Sequence, residues 1–324
     1  MRVLVAPDSF KGTFSAAAVA DALATGIEHA GASADRCPVA DGGEGTQAVL
    51  LDAHGGRIES TRVLDPLGRE IEASFAVLGS TAVVEMAAAS GLALLADDER
   101  NPWLTTSYGT GQLIYAAAQH ARNVMVAAGG SATVDGGRGA LKALSHHGLP
   151  PGTRLTVLCD VRTPWERCAS VYGPQKGADP KMVARLSARL RAFARRLPRD
   201  PRGRLGGGAA GGLAGALWAA HSAKLVPGAA YVLETLEFDD RLRAADIVIC
   251  GEGRLDAQSA EGKVVGEIAA RAQSADVPAH AVVGRDELGE DAARALGLAS
   301  VREARTLKAL RRAGTELAAV AAPA

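Results

Sequence analysis

Residues 1–23 read MRVLVAPDSFKGTFSAAAVADAL, and this stretch decides the fold class. Val3 to Ala6 is an apolar run with no polar alternation, cut off by Pro7, as expected of a strand covered on both faces of a parallel sheet. A small polar loop follows, Asp8-Ser9-Phe10-Lys11-Gly12-Thr13, and Ser15 is placed to cap an alanine-rich helix through about Ala30. Strand, loop and helix make one βα unit. Val124 to Ala127, Leu155 to Leu158, Ile247 to Cys250 and Ala281 to Val283 repeat the pattern. Ligands of open parallel sheets bind beyond the carboxyl ends of the strands, so the chemistry is expected in the residues after each run.

Other stretches have a different texture. Arg57 to Leu64, Glu70 to Leu78 and Thr81 to Glu85 read as antiparallel strands, the first two joined by the turn Asp65-Pro66-Leu67-Gly68, which implies a second, mixed region. Residues 198–212, PRDPRGRLGGGAAGG, read as a linker or loop. The helix expected before them, 181–197, is basic (Lys181, Arg185, Arg189, Arg191, Arg195, Arg196), and a solvated face explains that charge run.

Composition narrows the function classes. At 324 residues, two domains or one large one are expected. With 48% hydrophobic and 22% charged residues, neither a disordered chain nor a disulfide-stapled miniprotein fits. Basic and acidic residues number 36 each, so no bulk positive field is available for nucleic acid or an anionic membrane. Cys37, Cys159, Cys168 and Cys250 lack zinc-ligand spacing, and a reducing cytoplasm is the expected compartment. The first apolar run is too short for a signal peptide, and residues 82–96, the longest apolar stretch, carry Glu85 and fall short of the ~20 residues of a membrane helix.

Four loops carry the candidate chemistry. In the first, Asp8 and Lys11 suit a phosphate and its magnesium. The second, Asp41-Gly42-Gly43-Glu44-Gly45-Thr46, sets two carboxylates among glycines, which suits a metal or a substrate hydroxyl better than a bare phosphate. The third, Gly129-Gly130-Ser131-Ala132-Thr133-Val134-Asp135-Gly136-Gly137, surrounds hydroxyls with glycines after a strand, a set of donors that cradles phosphate oxygens, with Asp135 available for the metal. The fourth, Gly251-Glu252-Gly253-Arg254-Leu255-Asp256 with Gly262-Lys263 beyond, offers an arginine for a carboxylate or phosphate and an acid that can orient it or act as a base. Asp160 after a strand and Gly173-Pro174-Gln175-Lys176-Gly177 join them. Only seven of the 36 basic residues are lysine, yet Lys11, Lys176 and Lys263 all adjoin a glycine, where a compact ammonium meets permissive backbone. No Walker-type G-x-x-x-x-G-K-[ST] occurs, and Gly206 to Gly211, although matching G-x-G-x-x-G, follows no strand. His146-His147 reads as a helix C-terminal cap.

The strings APDSFKGTFSA (6–16), ADGGEGT (40–46), VVEMAAASGL (83–92), RNPWLTTSYGTGQLI (100–114), GGSATVDGG (129–137), CDV (159–161), YGPQKGAD (172–179) and GEGRLDAQSAEGK (251–263) resemble, in order, the signatures of the class II glycerate kinase family. The resemblance implies two α/β domains. One is Rossmann- or flavodoxin-like with a mainly parallel sheet, built from residues 1–56 and 236–324; the other is a mixed α/β domain, 57–235, inserted into it, with the active site in the cleft. It further implies a cytoplasmic enzyme that phosphorylates D-glycerate with ATP and Mg2+, most members giving 2-phosphoglycerate and some relatives 3-phosphoglycerate. A kinase of another small hydroxy acid and a non-catalytic phosphometabolite-binding module are the alternatives. A homodimer stays open, because no feature of the sequence speaks to assembly.

On this reading Asp8, Lys11, Asp41, Arg254 and Asp256 are catalytic, with Lys11 on the transferred phosphoryl group and Arg254 on the glycerate carboxylate. Ser9, Gly129, Gly130, Ser131, Thr133, Lys176, Gly251 and Glu252 hold the nucleotide, while Asp41, Asp135 and Asp160 are the metal candidates. The choice of general base among Asp8, Asp41 and Asp135 stays open. Three departures from the family stand out: a short stretch between Gly148 and Arg154, Gln112 where Glu is common, and a divergent segment, GRDELGEDAARALGLAS (284–300).

Overall fold

A computed structural model describes residues 1–260 and 263–320; Gly262 lies outside the described residues. Contacts divide the chain into two compact units, Met1–Asp41 with the chain from Ala229 on, and Gly42–Gly228. The limits expected from sequence, 56/57 and 235/236, fall later at both junctions. In chain order the strands are β1 (Arg2–Pro7), β2 (Ser33–Arg36), β3 (Arg57–Leu64), β4 (Glu70–Leu78), β5 (Thr81–Glu85), β6 (Asn123–Ala127) and β7 (Arg154–Cys159). There follow β8 (Lys224–Pro227), β9 (Ile247–Gly251), β10 (Arg254–Leu255), β11 (Ala279–Val283), β12 (Arg285–Asp286) and β13 (Leu298–Glu303).

The first unit is built on a parallel five-stranded sheet in the order β13-β11-β9-β1-β2. From β1 the chain moves to one side and from β9 to the other, so the order reverses between them, and the carboxyl ends of β1 and β9 flank the crevice that such a reversal opens. Ser15 caps the helix Ala16–His29 by accepting from the Ala18 amide at 3.2 Å. That helix packs against the C-terminal helix Leu307–Val320 so closely that a Cβ on Gly26 would stand 1.9 Å from the Arg311 carbonyl oxygen. Thr315 Oγ1 donates to the Gly26 carbonyl at 2.9 Å across the same crossing. Val3, Val5, Leu23, Ile27, Ile249 and Leu310 fill the core between these helices and the sheet.

The second unit holds a mixed six-stranded sheet, β3-β4-β5-β6-β7-β8, antiparallel from β3 to β5 and parallel from β5 to β8. Strand β5 is therefore antiparallel to one neighbour and parallel to the other. Asp65 makes the turn after β3 as expected, its Oδ1 accepting from the amides of Leu67 and Arg69. Asp179 and Pro180 start the basic helix Pro180–Ala194, which buries Leu186, Leu190 and Ala194. Its charged face is not wholly solvated, because Arg189 turns inward against Trp103. Among the described residues no helix is long and apolar enough to cross a membrane.

Residues 198–212 form a loop ending in the short turn Ala209–Gly212, as the loop reading expected, but not a linker. Gly206 to Gly212 are buried, and the Gly211 carbonyl accepts from the Gly136 amide at 3.0 Å. Gly211 adopts φ +63°, and a Cβ there would lie 1.9 Å from the Thr133 carbonyl oxygen, so this glycine lets one backbone rest directly against the Gly129–Gly137 loop. Gly211→Ala should lower stability by about 2–4 kcal/mol, the sum of left-handed strain and overpacking, read from urea unfolding. A loss below ~0.5 kcal/mol would contradict this packing.

Candidate active site

At the carboxyl end of β1 in the first unit, Asp8 is buried with its amide donating to the Gly251 carbonyl at 2.8 Å, which ties the first and fourth loops together. Phe10 and Phe14 exchange backbone hydrogen bonds, so the Lys11-Gly12-Thr13 turn projects as a tight hairpin ahead of the capped helix. Lys11 is half exposed, and its Nζ lies 3.3 Å from Oδ2 of the buried Asp41. Burial, the Asp41 charge and, more weakly, Glu252 push the Asp8 carboxyl well above its usual range, against the opposing pull of Lys11 and of the Ser9 amide, which donates to Asp8 Oδ1 at 2.6 Å. Burial likewise raises Glu252, with Ser259 and Lys263 opposing. Glu252 Oε1 is buried without a hydrogen-bond partner among the described residues. Asp8, Ser9, Lys11, Asp41, Gly251 and Glu252 thus meet in one place.

Arg254 and Asp256 stand apart in their pairings. The Arg254 guanidinium is exposed on β10, paired in parallel with β12, and lies 3.9 Å from Glu287. Asp256 lies 3.9 Å from Lys263. The divergent segment therefore supplies both Glu287 and the strand beside Arg254.

In the second unit the Gly129–Gly137 loop is pinned from within. Asp135 is buried, and its two oxygens accept from the amides of Ser107, Gly137 and Gly139 and from Ser107 Oγ, all at 2.8–3.0 Å. A carboxylate so engaged is an anchor; this geometry speaks against Asp135 as a metal ligand or general base. Lys176 is also turned inward, its buried Nζ donating to Ser131 Oγ at 2.7 Å and to the Thr133 carbonyl at 2.9 Å. Burial pushes this ammonium down to about 8, against the raising influence of Cys168, Asp160 and Asp135. Lys176 holds the loop from beneath and does not project to a ligand. Thr133 Oγ1 is buried without a hydrogen-bond partner among the described residues.

The opposite end of the loop meets acids. A Cβ on Gly129 would stand 3.5 Å from Asp160 Oδ2, and one on Gly130 3.7 Å from Glu44 Oε2, so two carboxylates flank this backbone. Glu44, one of the two carboxylates that the sequence sets among the glycines of its loop, carries no role assigned from the sequence. The helix Thr46–His54 is no open anion site, since Glu85 Oε1 accepts from the amides of Gly45 and Gln47. Ser107, unrecognised in the sequence, is the other member of the Asp135 anchor; its only signal was its place in RNPWLTTSYGTGQLI. His146 Nδ1 lies 3.4 Å from the Tyr108 hydroxyl and His147 stacks on Tyr115, so the pair packs onto side chains. The four cysteines are free and buried, and burial raises Cys37 to about 11 and the others to about 12, so their thiols stay protonated.

Asp135→Asn loses acceptor capacity for buried amides and should destabilise the fold by about 2–4 kcal/mol, measured by chemical unfolding. An unchanged midpoint would remove its role as anchor. Lys176 binds fewer protons folded than unfolded between about pH 8 and its ordinary 10.5, so stability should rise with pH across that window and Lys176→Met should flatten the rise. A wild-type profile falling there would contradict the buried ammonium.

Known proteins resemble this arrangement throughout. The sequence profile of the glycerate kinase family matches residues 3–150 and 147–322. A glycerate kinase of Haemophilus influenzae is 40% identical over 324 residues, covering 88% of this chain and 86% of its own. One from Bacillus subtilis is also 40% identical, over 88% and 85%. A glycerate 2-kinase of Escherichia coli is 36% identical over 82% and 80%. A crystal structure from Salmonella typhimurium LT2, described as a candidate glycerate kinase 2, superposes with a TM-score of 0.81 at 34% identity, covering 99% of this chain and 98% of that one. The chain belongs to the glycerate kinase family, and is a phosphotransferase acting on an alcohol group with ATP as co-substrate.

Proposed function

We propose that this enzyme transfers the γ-phosphoryl group of ATP to the C2 hydroxyl of D-glycerate, giving 2-phosphoglycerate and ADP in the cytoplasm. The observation that carries the reading is the buried carboxylate of Asp8, raised in pKa beside Asp41 and Lys11 at the carboxyl end of β1. A carboxylate tuned toward neutrality accepts a hydroxyl proton better than one held at its ordinary value. The substrate oxygen attacks the γ-phosphorus as its proton passes to Asp8. The new O–P bond forms while the bond from that phosphorus to the bridging oxygen breaks, and ADP leaves with the electron pair. Lys11, half exposed beside Asp41, neutralises charge on the transferring oxygens.

Gly129, Gly130, Ser131 and Thr133 are assigned to the nucleotide phosphates, with Lys176 setting their shape from below. Arg254 is assigned to the glycerate carboxylate. Among the described residues no three His, Cys, Asp or Glu side chains converge on one point. Mg2+ takes one or two carboxylates together with phosphate oxygens and water; Asp160 beside Gly129, or Asp41 beside Lys11, would hold it, and when bound it neutralises phosphate charge. The name of the Escherichia coli relative supports the C2 position. A second reading, phosphorylation of another small hydroxy acid, draws on the divergent segment that sets Glu287 beside Arg254.

Phosphorus NMR of the products from Mg-ATP and D-glycerate should show 2-phosphoglycerate. A 3-phosphoglycerate signal would correct the position, and product only from another hydroxy acid would overturn the substrate. Lys11→Ala should lower kcat by about 10²- to 10³-fold with the fold intact, and retention of near-full activity would sink its assignment. The rate should rise with pH as Asp8 ionises and fall above about pH 8 as Lys176 loses its proton; a profile without the rising limb would contradict the role of Asp8, and one without the alkaline fall that of Lys176.

A further inference from the structure

The second unit holds a cavity of about 670 Å³ that the reaction described above does not use. Its lining comes mainly from two places: Trp103, Leu104, Thr106, Tyr108 and Gln112 of the RNPWLTTSYGTGQLI segment, and Arg138, Lys142 and His146 of the helix Arg138–His147. Positions 138, 142 and 146 are spaced by four, so their side chains form one basic stripe along that helix. Arg189 closes a further side, its guanidinium fixed by the carbonyls of Pro102, Trp103 and Val134.

The charge is one-sided. Arg36, Arg69, Arg241 and Arg271 each meet a carboxylate elsewhere in the chain. Arg138, Lys142 and Arg189 form no ion pair among the described residues. Burial lowers Arg189, and Arg138 and Arg185 lower it further, against the raising influence of Asp135. The carboxylate lining the cavity is that of Asp135, and its oxygens are already engaged by Ser107, Gly137 and Gly139. Three cations without carboxylate partners, around a cavity of the size that small ligands fill, form a receptor for an anion. Leu104, 66% exposed, and the rings of Trp103 and Tyr108 add an apolar surface that inorganic phosphate alone would not need.

The geometry points to a second binding site in this cavity for a phosphate ester, its phosphate on Arg138 and Lys142 and its organic part against Leu104, Trp103 and Tyr108. The cavity meets the Gly129–Gly137 loop only at Asp135, whose oxygens are already engaged; Gly129, Gly130, Ser131 and Thr133, the residues assigned to the substrate nucleotide, and Lys176 are absent from the lining, so the proposal does not rest on that assignment. A nucleotide and a phosphorylated hydroxy acid share the chemistry the cavity would recognise.

Calorimetric titration of the full chain with ADP, with 3-phosphoglycerate and with inorganic phosphate tests this against the variant Arg138→Ala/Lys142→Ala. Both side chains are exposed, so the fold should survive; should the pair unfold, Lys142→Gln alone carries the same test with a smaller loss. The expected result is that ADP or 3-phosphoglycerate binds the wild type with a component weakened tenfold or more in the variant, while KM for ATP and for D-glycerate stays unchanged. ADP or 3-phosphoglycerate identifies which organic part the cavity prefers. Equal binding by wild type and variant, no binding by the wild type, or binding of inorganic phosphate alone would overturn the proposal. A KM for ATP that rises in step with the lost affinity would also overturn it, by making the cavity part of the substrate site.

Discussion

The Gly129–Gly137 loop depends on one buried ion, the carboxylate of Asp135, whose oxygens collect donors from Ser107, Gly137 and Gly139. A segment this rich in glycine loses much conformational entropy on ordering, and something must offset that loss. Charge-assisted hydrogen bonds in a buried setting are strong enough to do so. Lys176 adds a second internal support through Ser131 and Thr133, and the Gly211 backbone a third. On its proposed assignment to the nucleotide phosphates, a loop held in shape before its ligand arrives loses little further entropy at the moment of binding.

The first unit solves a different problem. Around Asp8 the dominant influence is burial beside a second carboxylate, which raises proton affinity, while Lys11 reaches the same place on a flexible stem. A buried acid with raised proton affinity and a half-exposed cation suit proton acceptance and charge neutralisation. A rigid cradle of amides and hydroxyls suits holding phosphate. The chemistry is thus divided by type of environment: the carboxylate proposed to take the proton lies where burial raises its proton affinity, and the loop is tied by side chains whose hydrogen bonds are directed inward.

Much of this was legible in the sequence. The strands β1, β6, β7, β9 and β11 announced themselves because both faces are covered, which leaves apolar runs without alternation. Ser15 and Asp65 were readable as cap and turn since their side chains act within a few residues. Strands β2, β8 and β13 were missed because they are sheet edges with partly exposed, mixed side chains. Gly206–Gly212 was misread because a glycine run signals permissive backbone without telling whether solvent or another backbone takes up the space. Asp135 and Lys176 were recognised as important, yet their inward direction depends on partners 28 and 45 residues away in sequence, Ser107 and Ser131. Family membership came from eight strings in order, and no single one of them carries it.

On the proposed mechanism, Lys176 and Asp135 shape a loop that binds the nucleotide while Asp8 and Lys11 act on the transferred group. Equilibrium binding of a non-hydrolysable ATP analogue to Lys176→Met tests it most directly, with D-glycerate affinity measured in parallel. The account predicts at least a tenfold loss of affinity for the analogue and an unchanged affinity for D-glycerate. Unchanged affinity for the analogue in the folded variant would contradict it, because the loop would then hold the nucleotide without its internal support, or would not hold it at all.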